Sequence, residues 1–113
     1  MHELVLAESI VDTVTKEIQN RQPAKLVAVF VRIGALTEIV PDALQFGFES
    51  LIIDTPLAGA ELKIERVPIK GKCKSCGHQF EIEEFLFICP QCYSSDIAMT
   101  QGDELEISHL EIE

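Results

Sequence analysis

The sequence predicts an α+β fold, with two helices on a small, mainly antiparallel three-stranded sheet and a four-cysteine ribbon inserted between the second and third strands. Two observations predict the layer: a helix-period apolar stripe runs straight into a valine-rich strand, and a second helix leads to alternating strand segments. The third is the position of the cysteines, which interrupt the sheet-forming sequence instead of ending it. The expected organisation is therefore one layer from residues 1–69 with 100–113, and a ribbon over 70–99.

From Glu3 to about Arg21, Leu4, Ala7, Val11, Val14 and Ile18 fall on one helical stripe with Ile10, opposite Glu8, Asp12, Lys16 and Gln19. Pro23 then ends the helix. Leu26 to Ile33 is a nearly unbroken apolar run, as in a strand covered on at least one face, and Gly34 stops it. Pro41 suits a first helical turn, and Leu44, Phe48, Leu51 and Ile52 line one side of the helix it opens. Glu61 to Ile69 alternates as a strand with a phase shift, read as a bulge, near Glu65 and Arg66; Glu104 to Ile112 alternates likewise, with a slip at His109 and Leu110.

All four cysteines lie in two Cys-x2-Cys turns, Cys73 with Cys76 and Cys89 with Cys92, separated by twelve residues. Two such turns at the ends of a hairpin aim four soft thiolates at one point. Disulfides are the alternative, but adjacent x2 pairs are poorly placed to staple a domain. Four thiolates leave no open position for water, so the site is expected to be structural. Zinc(II) is preferred to a single iron, which would make a small rubredoxin-like electron carrier; the chain is far larger than such a carrier needs, and Lys74, Ser75 and Gln91 in the turns are polar.

Composition narrows the partners. The chain has 113 residues, 47% of them hydrophobic, enough for one ordinary domain. Nineteen acidic against nine basic side chains give a formal charge of -10, which repels phosphate backbones and argues against the nucleic-acid role that a ribbon would otherwise suggest. Lys70, Lys72 and Lys74 are read as compensation for the thiolates. No basic-then-apolar leader, long apolar run or lipidation signal is evident, so the expected compartment is the reducing cytoplasm, without membrane insertion. No nucleotide loop or Ser/His/Asp set points to an enzyme.

The amino terminus offers a different donor set. The Met1 amine, the His2 amide nitrogen and the His2 ring can close two fused chelate rings on one ion, a nitrogen-rich arrangement that suits nickel(II) or copper(II) better than zinc. Deprotonating the His2 amide breaks no helical hydrogen bond, because the first N–H groups of a helix have no partner within it. The helix dipole disfavours a bare cation there by about 0.3–1 kcal/mol, which the amide and the Glu3 carboxylate would offset. The other two histidines have simpler readings: His78 as a solvated knuckle residue, His109 as a partly buried, locally hydrogen-bonded residue of the last strand. Phe80, Phe85 and Phe87 between the cysteine pairs are read as packing for the hairpin, with an exposed part available for docking.

Met1-His2-Glu3-Leu4, the stretch from Arg32-Ile33-Gly34 to Pro41-Asp42-Ala43-Leu44-Gln45-Phe46, the pair Phe48-Glu49, both cysteine knuckles and Gln101-Gly102-Asp103-Glu104-Leu105 together resemble the HypA/HybF family of hydrogenase-maturation nickel metallochaperones. The resemblance runs nearly end to end. It implies nickel(II) as transient cargo on His2, with Met1 and Glu3 as helpers, and structural zinc on Cys73, Cys76, Cys89 and Cys92. Delivery to the NiFe-hydrogenase large subunit with the GTPase HypB is implied as well. Glu38, Asp42 and His78 are further nickel-ligand candidates on the same basis.

Overall fold

The computed structural model describes residues 2–21 and 24–113. The element order is α1 (Glu3–Gln19), β1 (Leu26–Gly34), a short 3-10 turn (Ala35–Thr37), α2 (Pro41–Ile52), β2 (Glu61–Val67), β3 (Ile69–Cys73), β4 (Gln79–Ile82), β5 (Ile97–Gln101) and β6 (Leu105–Ile112). The two helices and the sheet beside them stand as expected from sequence. Pro23, the expected end of the first helix, lies outside the described residues; the last helical turn closes through Asn20, whose N–H reaches the Lys16 carbonyl at 3.2 Å.

α1 buries Leu6, Ala7, Ile10, Val14 and Ile18. Leu4, placed on that stripe by its spacing, is 47% exposed instead. It still lies at the edge of the helix contact, its Cδ1 3.7 Å from where a Cβ on Gly47 would sit. α2 begins with Pro41 at its first turn and buries Leu44, Gly47, Phe48 and Ile52. A Cβ on Gly47 would sit 3.3 Å from that of Ala7, so these small residues set how closely the helices approach.

The first sheet has the order β2-β1-β6. β6 runs antiparallel to β1: Lys25 and Glu113 exchange backbone hydrogen bonds at one end, and Gly34 N–H donates to Glu104 at 2.7 Å at the other. β2 is reached from β1 through α2. Lys63 lies 5.3 Å from the Phe30 ring and Arg32 donates to Glu65 at 2.6 Å, so contacts advance the same way along both strands and the pair is parallel. The sheet is thus mixed. Arg32 also reaches Glu106 of β6 at 2.9 Å, tying all three strands on the exposed face. Its guanidinium is held above its ordinary pKa by the hydrogen bonds to Glu65 and Glu106, so it stays charged.

One expected strand is two. Glu61 to Ile69 breaks at Pro68, which ends β2 in the first sheet and lets the chain enter β3 of a second, fully antiparallel sheet of order β4-β3-β5. Proline cannot donate to a ladder, so the phase shift read near Glu65 marks a change of sheet. The register irregularity lies between Lys70 and Gly71, in the pairing of β3 with β5. Along β3, Ile69, Gly71 and Cys73 point inward while Lys70 and Lys72 point out.

By contacts the chain divides into two compact units, one of residues 1–32, 39–65 and 106–113, the other of residues 33–38 and 66–105. Leu26, Val29, Val31, Leu44 and Phe48 form the centre of the first. No helix among the described residues is long and apolar enough to cross a membrane.

Two glycines pin the second unit. A Cβ on Gly34 would lie 2.0 Å from the Gly102 carbonyl oxygen, and Gly102, at φ +127°, packs against Ile69. Gly34→Ala should cost about 3 kcal/mol, because backbone itself must move. Gly59→Ala, at φ +89° in open space, should cost only about 1 kcal/mol. Urea unfolding of the two variants checks the ranking.

Candidate metal centre

The hairpin of β3 and β4 carries the first cysteine pair at its tip, and the loop between β4 and β5 carries the second. Both pairs fold identically at the backbone. In the first knuckle Gly77 N–H donates to the Cys73 carbonyl and Cys73 N–H to the His78 carbonyl, each at 2.9 Å. In the second, Tyr93 donates to Cys89 and Cys89 to Ser94, again at 2.9 Å. The fifth residue of each knuckle is left-handed, Gly77 at φ +80° and Tyr93 at φ +61°. This role for Tyr93 was not read from the sequence. Aligning Cys73-Lys-Ser-Cys-Gly-His with Cys89-Pro-Gln-Cys-Tyr-Ser would have exposed it.

The repeated turn brings four sulfurs together. Cys73 Sγ lies 3.5 Å from Cys92 and Cys76 Sγ 3.6 Å from Cys89, and all four sulfurs are within 4.8 Å of one another. A tetrahedron of zinc–sulfur bonds has edges of about 3.8 Å, whereas a disulfide requires about 2.05 Å. All four cysteines are free, so the donor set fits a closed four-thiolate metal site. Cys73 and Cys89 are buried, while Cys76 and Cys92 face solvent.

Backbone N–H groups complete the shell. Gln91 and Cys92 both aim their amides at Cys89 Sγ at 3.4 Å. The equivalent Cys76 amide, helped by that of Ser75, draws the Cys73 thiol down to about 6 against the opposing effect of burial. Cys92 goes the other way: the Ser94 amide would lower it, but hydrogen bonds to Cys73, Cys76 and Cys89 and burial push it up to about 12. Burial raises Cys89, yet the amides of Cys92 and Gln91 bring it below its ordinary value. Four thiols this close resist ionising together unless a cation joins them, so metal uptake here releases protons. Around the site, Ser75 and Ser94 share a hydrogen bond at 3.1 Å, and Lys74 approaches Asp96 at 3.8 Å.

The remaining candidates are placed differently. His78 is half-buried and stacked on Phe80 with ring centres 5.8 Å apart. His109 is exposed, stacked on Phe30 at 4.1 Å, with Ser108 beside its Nδ1. His2 caps α1 in an extended conformation, with its carbonyl accepting from Leu6 at 3.1 Å. Met1 lies outside the described residues. Glu3 accepts a hydrogen bond from the Val40 N–H at 3.3 Å, at the start of α2, whose first turn carries Asp42. Among the described residues, the cysteines are the group of three or more potential ligands that converges; His2, Glu3, Glu38 and Asp42 do not form such a cluster.

Residues 1–112 match the family described as hydrogenase/urease nickel incorporation, metallochaperone, HypA. The chain belongs to the HypA family. It is 38% identical over 113 residues to the hydrogenase maturation factor HypA of Desulfitobacterium hafniense, spanning 100% of this chain and 99% of that one. The HypA of Geobacter metallireducens is 40% identical over 113 residues, with both chains covered in full. The solution structure of the nickel metallochaperone HypA from Helicobacter pylori superposes with a TM-score of 0.65 at 26% identity, covering 98% of this chain and 97% of that one. HypA membership makes the protein a member of a metallochaperone family of hydrogenase maturation, with a four-cysteine metal site.

Metal affinity at this site should fall sharply on losing any sulfur. With about 10–16 kcal/mol shared among four ligands, Cys73→Ser should cost roughly 3 kcal/mol, or about a hundredfold in zinc affinity. Competition against a chromogenic chelator measures this directly.

Proposed function

We propose that this HypA-family protein is a nickel metallochaperone that binds Ni(II) at its amino terminus and delivers it to the NiFe-hydrogenase large subunit. HypB is the GTPase partner that the resemblance to the HypA family implies. Zn(II) on Cys73, Cys76, Cys89 and Cys92 is structural. The carrier function is assigned to residues 1–69 with 100–113, the zinc ribbon to 70–99, and the working compartment to the cytoplasm. The observation that carries this reading is the family match over residues 1–112.

The chemistry of the terminus supports it. The His2 carbonyl already serves α1 while its amide nitrogen stands before the helical ladder, so the Met1 amine, His2 amide and His2 ring can bind nickel without unwinding the helix. His2 is exposed, which suits a cargo that must leave. Glu3 can contribute charge with one oxygen while the other accepts from Val40. Copper binds such nitrogen sets more tightly than nickel, so selectivity comes from geometry, supply and the partner.

Untagged protein beginning at Met1, titrated with nickel beside His2→Ala, tests the proposal. The parent should hold one zinc and take up nickel; His2→Ala should keep the zinc and the fold and lose at least about two orders of magnitude in nickel affinity, the scale of a lost first ligand. Equal nickel uptake by the two would overturn the terminal site. Glu3→Gln should have the smaller effect, because an amide oxygen still accepts from Val40.

A further inference from the structure

Between β4 and the second knuckle, the turn Glu83–Leu86 closes with Leu86 N–H on the Glu83 carbonyl at 3.0 Å. Its central residues, Glu84 at φ +53° and Phe85 at φ +57°, are both left-handed. A turn of this kind ordinarily takes Asn-Gly, because side chains crowd the backbone at positive φ. Here a glutamate and a phenylalanine take those places, and neither is buried in return. Phe85 is 49%, Leu86 60%, Ile88 41% and Tyr93 80% exposed. Strain retained on a surface that packs nothing points to an outside contact.

The shape and charge of the surface specify the contact. Leu86, Ile88, Phe80 and Pro90 line a depression of about 190 Å³, which Glu81 and Glu83 also line. Glu84 stands beside them in the turn. The floor is apolar and its carboxylates have no ion-pair partner among the salt bridges of the described residues. A complementary ligand has an apolar side chain for the depression and a lysine or arginine beside it for the carboxylates.

We propose that the Glu83–Ile88 turn is a docking site for a segment of a partner protein in which an apolar side chain is flanked by basic residues. The turn presents Phe85 and Leu86 as anchors, and the glutamates steer and orient the partner. The site shares no residue with the proposed nickel terminus, and rests on the chaperone reading only for the choice of proteins to test.

The full-length, zinc-loaded chain is titrated against the purified immature hydrogenase large subunit and against the GTPase, by biolayer interferometry at low and high salt. Leu86→Glu should weaken association with at least one of them by about tenfold or more, the loss expected of a buried anchor. Glu84→Asn with Phe85→Gly should raise the thermal midpoint, by relieving the turn, and still weaken the same association. Parent binding should decline as salt rises. Unchanged affinity in both variants, or a parent that binds neither protein, would overturn the site; if Leu86→Glu loses zinc, the turn variant decides. Zinc content and nickel titration of the same samples separate this failure from failure of the carrier reading.

Discussion

Four sulfurs held within bonding distance of a common centre are the constraint on which the second unit depends. Its buried apolar side chains are few, Ile33, Val67, Ile69 and Ile82, and the other buried side chains are those of Cys73 and Cys89 themselves. A unit of this size with so small a core ordinarily needs a metal or disulfides to stay folded. The knuckles answer with the same backbone geometry twice, so that two unrelated stretches approach one point with six amides directed at sulfur. Removing the cation would leave a cluster of thiols with conflicting proton affinities in place of a core.

The first unit rests on ordinary packing. Ala7 and Gly47 let the helices approach, and the valines of β1 with Phe48 and Leu44 fill the layer beneath. Among its described residues no group of three or more potential metal ligands converges. A fold that stands without a metal would be free to load and unload one, as the proposed carrier role requires, whereas a closed four-thiolate site is built to keep its ion.

What the sequence conveyed, and what it withheld, follows from how local each signal is. Cys-x2-Cys spacing is local chemistry, and its convergence was legible outright. The helices were legible from periodicity, although Leu4, placed on the buried stripe, stays half exposed at the end of α1. The break at Pro68 was visible as a residue but was outweighed by the alternation around it, so two strands read as one. The left-handed Tyr93, Glu84 and Phe85 left no trace in composition, since all three types usually avoid that conformation. The donors at the amino terminus were expected from sequence as adjacent residues; Met1 lies outside the described residues, His2 is exposed, and Glu3 differs from a free ligand in accepting from the Val40 N–H.

That last difference bears on how a carrier at this terminus would work. The positive end of α1 disfavours a cation, and the nearest carboxylate, Glu3, is already engaged by Val40 at the start of α2. A nickel ion that recruits Glu3 Oε2 must therefore release Val40 N–H, and one that uses the other oxygen draws the terminus toward α2. Either way the ion and the junction of the two helices share one side chain. A few tenths of a kcal/mol to about 1 kcal/mol is the scale of such an exposed hydrogen bond, small enough for a partner to reverse. In the proposed carrier, holding the ion with backbone and imidazole nitrogens beside one weak helix contact would give a site whose occupancy a second protein could change by touching either helix.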